Sequence, residues 1–161
     1  MRVMGIDPGS RTTGYGVVEI NGSRLSGVAF GEIQGTTRSD RGPSFLVQIY
    51  QNLLQIIDET APEAVAVEEV FYGKNVKSLI KQGQARGVAI LAGAHSGLPI
   101  FEYSPLEIKL AVVGYGRAEK IQVQQMVKVI LKLSDLPGTD AGDALAVAIC
   151  HANKTGGRAR P

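Results

Sequence analysis

The chain has little of what marks secreted, thiolate-metal or membrane-spanning proteins. Cys150 is the one cysteine in 161 residues, so no internal disulfide can form, and a lone Cys among apolar neighbours reads as a small buried hydrophobe. The two histidines, His95 and His151, stand at no metal-ligand spacing from Cys150, and no Ser-His-Asp pattern accompanies them. A thiolate zinc site and serine-type nucleophilic catalysis are therefore not expected. No charged-then-apolar leader opens the chain, and no apolar run approaches the roughly 18 residues of a membrane span. The expected setting is the cytoplasm, in a reducing compartment.

What is present suits one compact domain, since 44% of the residues are hydrophobic in a chain of ordinary domain size. The net charge of +2 is small but unevenly spread: residues 1–69 carry 5 Lys+Arg against 9 Asp+Glu, whereas residues 70–161 carry 12 against 6. A basic second half suggests a polyanion-binding face, because clustered cations gain affinity by releasing counterions from phosphates. The plainer alternative is a set of solvated helix faces.

Periodicity predicts three strands first, at 2–7, 14–20 and 24–34, with Asn21-Gly22 as the hairpin turn between the last two. Phe45, Ile49, Leu53 and Ile57 recur every four residues and predict an amphipathic helix over 43–60. Ala64 to Val67 is unbroken and apolar, as in a strand buried on both faces of a mainly parallel neighbourhood. A helix is expected over 75–94 and a strand over 99–103. Ser104-Pro105 opens a short helix over 106–113, and further helices cover 119–133 and 140–152. In the helix over 119–133, Ile121, Val123, Val127, Ile130 and Leu131 fall broadly on one side. This order predicts an α/β fold with a mixed five-stranded sheet flanked by helices, a domain over 1–153 and a flexible basic tail over 154–161.

Acids close several of these elements: Asp7 in the first strand, Glu68 or Glu69 after the fourth, and Asp140 with Asp143 at the start of the last helix. If the first and fourth strands are neighbours, Asp7 and the glutamate meet, while Asp140 and Asp143, three residues apart, share a helix face. Converging carboxylates repel unless cations sit among them, and Mg²⁺ suits such hard oxygen ligands. Two ions about 3.5 to 4 Å apart support phosphodiester hydrolysis. Each acid also has a duller role, as helix N-cap and first-turn acid, as strand end, or as turn former before Pro8-Gly9. A nucleotide P-loop does not fit, because Gly9 and Gly14 are followed by Tyr15-Gly16 where that loop needs Lys and then Ser or Thr. Gly14 and Gly16 are expected instead to keep the backbone slim where DNA or the metal site comes close.

Five blocks, GIDPGSRTTGYGVV at 5–18, AVEEVF at 66–71, GQARGVAI at 83–90, VVGYGRAEKIQVQQMV at 112–127 and DAGDALAVAI at 140–149, together resemble the RuvC Holliday junction resolvases of bacteria, over nearly the whole chain. The resemblance implies an RNase H-like fold and a homodimeric, Mg²⁺-dependent endonuclease, with Mn²⁺ as a substitute and two ions per site, that resolves four-way DNA junctions in recombination and repair. It implies metal ligation by Asp7, Glu68, Asp140 and Asp143, choosing Glu68 over Glu69, and catalytic roles for Lys109 and Lys120 near the scissile phosphate. It implies base contact by Phe71, and DNA contacts by Lys74, Lys77, Lys81, Arg86 and Arg117 besides the two catalytic lysines. Gly83 and Gly87 are small residues four apart on the 75–94 helix, and the resemblance favours a dimer interface there over packing on the sheet. A branch-migration complex of RuvA and RuvB is the implied partner. The rivals are another RNase H-like nuclease acting on RNA or a hybrid, and an actin-like nucleotide-binding domain. The latter needs a second domain for which the length leaves no room.

Overall fold

A computed structural model describes residues 1–35, 43–69, 73 and 75–156. Its elements run β1 (Arg2–Asp7), β2 (Thr12–Asn21), β3 (Arg24–Gln34), α1 (Pro43–Thr60), β4 (Ala64–Glu68), α2 (Val76–His95), β5 (Ile100–Tyr103), α3 (Pro105–Val113), α4 (Lys120–Leu131) and α5 (Thr139–Gly156). They form a five-stranded sheet in the order β3-β2-β1-β4-β5. The first three strands make the antiparallel meander, and β4 and β5 add in parallel on the other side of β1. The mixed α/β architecture expected from the element order is thus the one adopted.

Strand parity sorts side chains into two cores, because successive residues point to opposite faces of a sheet. Met4, Ile6, Val17, Val65 and Val67 face α1 and α2, whose Phe45, Ile49, Leu53, Ala85 and Ala89 complete that layer. Val3, Val18 and Ala66 face the other way, onto α3, α4 and above all α5. Asp7 shares the parity of Val3, and Glu68 that of Ala66, so both acids end their strands on the α5 side.

The α5 helix lies very close to the strands, and glycines make that possible. A Cβ on Gly5 would stand 2.0 Å from the Ala144 carbonyl oxygen, and one on Gly14 would stand 2.0 Å from that of Asp140. What comes close at Gly14 is therefore the backbone of the acid-bearing helix itself. The slim strand expected at this point is real, and its use is helix-on-sheet packing that brings Asp140 over the end of β1.

Most element bounds shift by one or two residues from the sequence expectation, β2 for instance starting at Thr12, and the larger differences are the end of the last helix and one helix face. The last helix continues to Gly156, so residues 154–156 of the expected tail are helical. Thr155 Oγ1 donates to the His151 carbonyl at 2.8 Å, and Lys154 pairs with Glu107 of α3, which together hold the final turn. Residues 157–161 lie outside the described residues. Helix α4 stops at Leu131 because Lys132 takes a left-handed conformation, φ 54°. On α4, Ile121 is half exposed and Gln124 is buried beside Val123, Val127 and Leu131. The Ser104-Pro105 start of α3 is as expected, with Ser104 N–H donating to Glu107 Oε2 at 2.8 Å in a capping box.

Candidate active site

The parallel pairing of Ile6 with Val67 puts the next residues, Asp7 and Glu68, side by side at the ends of adjacent strands. Helix α5 begins beside them with Asp140 and Asp143 one turn apart. Carboxylate oxygens from Asp7, Asp140 and Asp143 lie within 4.8 Å of one another, none of these residues being fully exposed. Glu68 stands just outside that triad, close enough to raise the pKa of Asp7.

Charge of one sign in a half-buried place disturbs protonation. Burial first, then the charges of Glu68, Asp143 and Asp140, push Asp7 up to about 8. Burial and Asp143 push Glu68 up to about 7, against the opposing charges of Lys120 and Lys109. Asp140 is raised as well, by burial and then by Glu32 and Asp143. The site therefore favours bound protons or bound cations over four bare carboxylates. An all-oxygen donor set with unpaid repulsion fits a hard divalent cation.

Both oxygens of Asp143 are engaged from α4. Lys120 Nζ lies 2.8 Å from Oδ2, and Gln124 Nε2 donates to Oδ1 at 3.0 Å. Partial burial works against the charge of Lys120, yet its hydrogen bond to Asp143 and the nearby acids hold its pKa above the ordinary lysine value. Lys109, on α3, joins Glu68, Lys120 and Asp143 around a cavity of about 220 Å³ with apolar walls from Ile108 and Val123. On the other flank, Gly9 to Thr12 form a shallow groove ending at Asp140.

The four acids and two lysines singled out from the sequence are thus brought together. Lys77 and Lys81 are exposed on α2, Arg117 is exposed before α4, and the guanidinium of Arg86 is paired with Glu102 of β5. Phe71 and Lys74 lie outside the described residues. Sequence reasoning missed Gln124 and Glu32. Glu32 Oε1 accepts the Asp140 N–H at 3.1 Å, capping the start of α5 from β3. Its signal was the hairpin register, which sets Glu32 opposite Gly14 and Gly14 opposite Asp7.

Acids on two neighbouring central strands, met by two more on a helix packed across the same sheet face, define a nuclease of the RNase H-like class. Residues 3–151 match the family model described as crossover junction endodeoxyribonuclease RuvC. The crossover junction endodeoxyribonuclease RuvC of Geotalea uraniireducens is 54% identical over 155 residues, 96% of this chain and 90% of its own. That of Caldanaerobacter subterraneus is 54% identical over 94% of this chain and 92% of its own. Among solved structures, RuvC of T. thermophilus in complex with Holliday junction substrate superposes with a TM-score of 0.91 at 32% identity, covering 98% of this chain and 96% of that one. The chain belongs to the RuvC family of crossover junction endodeoxyribonucleases.

Proposed function

We propose that this protein resolves four-way DNA junctions by hydrolysing one phosphodiester in each of two strands of like polarity, as a homodimer with one active site per protomer. The observation that carries the reading is the meeting of Asp7, Asp140 and Asp143 within 4.8 Å, next to Glu68, in a chain of this family. Asp7, Glu68, Asp140 and Asp143 would hold two Mg²⁺, with Mn²⁺ as a substitute. Bound there, such ions supply an activated water and charge stabilisation at the leaving oxygen. The attacking water oxygen forms the new P–O bond, the P–O3′ bond breaks, and the ends are 5′-phosphate and 3′-hydroxyl.

The chain's own residues do the rest. Lys109 and Lys120, beside the cavity at Glu68 and Asp143, bind and orient the scissile phosphate. Phe71 stacks on an unpaired base, a contact worth about 1 to 3 kcal/mol. Lys74, Lys77, Lys81, Arg86 and Arg117 contact the junction arms, Arg86 after exchanging Glu102 for phosphate. The solved structure of the T. thermophilus relative with Holliday junction substrate supports the choice of DNA. The partner complex is RuvA and RuvB, and the setting is the cytoplasm; no helix among the described residues is long and apolar enough to cross a membrane.

Dimerisation rests on α2. Val76, Ile80 and Leu91 are each more than half exposed and run in register with Gly83 and Gly87, at intervals of four, three, four and four residues. Apart from the helix's own nearby backbone, no described atom lies within 4 Å of a Cβ built on either glycine, so packing on the sheet does not explain them. A twofold contact along this stripe buries the apolar residues and lets two backbones approach.

The test is cleavage of a synthetic four-way junction, a duplex and an RNA–DNA hybrid in one buffer with Mg²⁺. Paired symmetric nicks are expected in the junction alone, and Asp7→Asn is expected to bind the junction without cutting it. Equal cleavage of the hybrid, or undiminished cutting by Asp7→Asn, would overturn the reading.

A further inference from the structure

We infer that Gln124 is a positioning residue that fixes the orientation of the Asp143 carboxylate for metal binding; the inference rests on the metal-site reading above. Gln124 is the one uncharged amide turned inward on α4 among the described residues, its neighbours on that face being Val123, Val127 and Leu131. Burying a primary amide is unfavourable unless its donors are used. Here both are used by the same helix start: Nε2 donates to the Thr139 carbonyl oxygen at 3.0 Å and to Asp143 Oδ1 at 3.0 Å.

The consequence is geometric. Thr139 opens α5, and Asp143 sits one turn later, so one amide group spans the backbone that begins the helix and the carboxylate it carries. Holding Oδ1 from one side while Lys120 Nζ meets Oδ2 from the other restrains rotation of the carboxylate. Gln124 carries no charge, so it orients Asp143 without competing with a cation for it, unlike Lys120. Gly142 leaves the amide its room, since a Cβ there would stand 2.1 Å from Gln124 Oε1. Outer hydrogen bonds of this kind orient metal-ligating carboxylates, and their loss typically costs about 10- to 100-fold in metal affinity or activity.

The test uses the full-length protein and Mn²⁺ alone, titrated by water-proton relaxation, with thermal melting in parallel. Gln124→Met keeps length and volume and removes the donors. It is expected to weaken Mn²⁺ binding about tenfold or more, with the melting temperature nearly unchanged, while Asp7→Asn loses the site. Wild-type Mn²⁺ affinity in Gln124→Met alongside a defect in Asp7→Asn would show that the amide merely tethers two helices, and would end the inference while sparing the metal reading. Wild-type affinity in Asp7→Asn would remove both. Should Gln124→Met not fold, the wild-type side-chain amide decides by ¹⁵N NMR: slow exchange and a shift on adding Mg²⁺ support the role, and exchange like that of free glutamine overturns it.

Discussion

The helices α5 and α2 pack on opposite faces of one sheet and are buried to very different degrees. From Ala141 to Ala152, every α5 residue except Asp143 is buried, and backbone glycines in β1 and β2 let the helix sink against the strands. On α2, Ala85, Ala89, Ala92 and Gly93 are buried, and the outer stripe of Val76, Ile80 and Leu91 is more than half exposed. A helix that must place two carboxylates against two strand ends gains from having no freedom. A helix with one apolar stripe left over is complete only when something lies on it. The same sheet thus has one face closed around the acids and another whose outer helix keeps an exposed apolar stripe, the stripe that the proposed dimer would cover.

Glycine substitutions separate the two faces most sharply. Gly5→Ala drives a methyl into the Ala144 carbonyl and the Ala148 amide, backbone atoms with nowhere to go. Overpacking of this kind costs about 1 to 3 kcal/mol and occasionally more, a large part of a typical domain's roughly 5 to 15 kcal/mol. A strong fall in melting temperature, with loss of cutting, is expected. Gly87→Leu meets open space among the described residues and replaces a poor helix former, a gain of up to about 1 kcal/mol for the isolated fold. Its expected defect is a monomer in sedimentation analysis that still binds Mn²⁺ and no longer makes paired nicks. Were Gly87→Leu to unfold the chain, or to remain dimeric, α2 would not carry the dimer contact.

Protonation sharpens the comparison from the α5 side. Asp7 and Glu68 have folded pKa values raised to about 8 and about 7 from ordinary values of 3.8 and 4.5. For an acid raised on folding, the neutral form is the one the fold accepts, so its contribution is intact below the ordinary value and is lost as pH rises through the folded one. Without divalent metal, wild type is therefore expected to fall behind Asp7→Asn in melting temperature as pH rises from about 4 to about 8, the gap holding constant above. Adding Mg²⁺ at pH 9 should close the gap by stabilising wild type alone. Proton competition also predicts that Mn²⁺ affinity weakens as pH drops through the values of about 8 and about 7. A pH-independent difference between the two proteins would mean that Asp7 is not strained.

Much of this is legible in the sequence. Residues with period four in α1, the unbroken apolar β4 and the Ser104-Pro105 cap announce their elements because local pattern and tertiary burial agree there. The four acids were legible as element ends and, through the family blocks, as one site. Gln124 was not, because hydropathy sends a glutamine to solvent, although its spacing of three and seven from Val127 and Leu131 places it inward. Ile121 was misplaced by the same habit in reverse. Glu32 needed the β2–β3 register, a long-range fact set by the turn. The open setting of Gly83 and Gly87 follows from which face of α2 carries the alanines, and two candidate faces cannot be ranked from composition alone.

The smallest expected effect lies at the far end of α5 and tests whether that helix acts locally or as a rod. Lys154 pairs with Glu107 and lies 4.9 Å from the Tyr103 ring centre, tying the last turns of α5 to α3 and β5. The Lys154 hydrogen bond, followed by those from Ser104, brings Glu107 down to about 2. For a lowered acid the contribution is present above the ordinary carboxylate value and is lost as pH falls through the folded one, so it is in place at neutral pH. The pair is largely exposed, and exposed ion pairs contribute little. Lys154→Met is therefore expected to lower the melting temperature slightly at pH 7 and not at pH 2, and to leave Mn²⁺ affinity at the wild-type value. If it weakened Mn²⁺ binding as Gln124→Met is expected to, strain at one end of α5 would be reaching Asp143 through the whole helix. The hold of Gln124 on that carboxylate would then not be local.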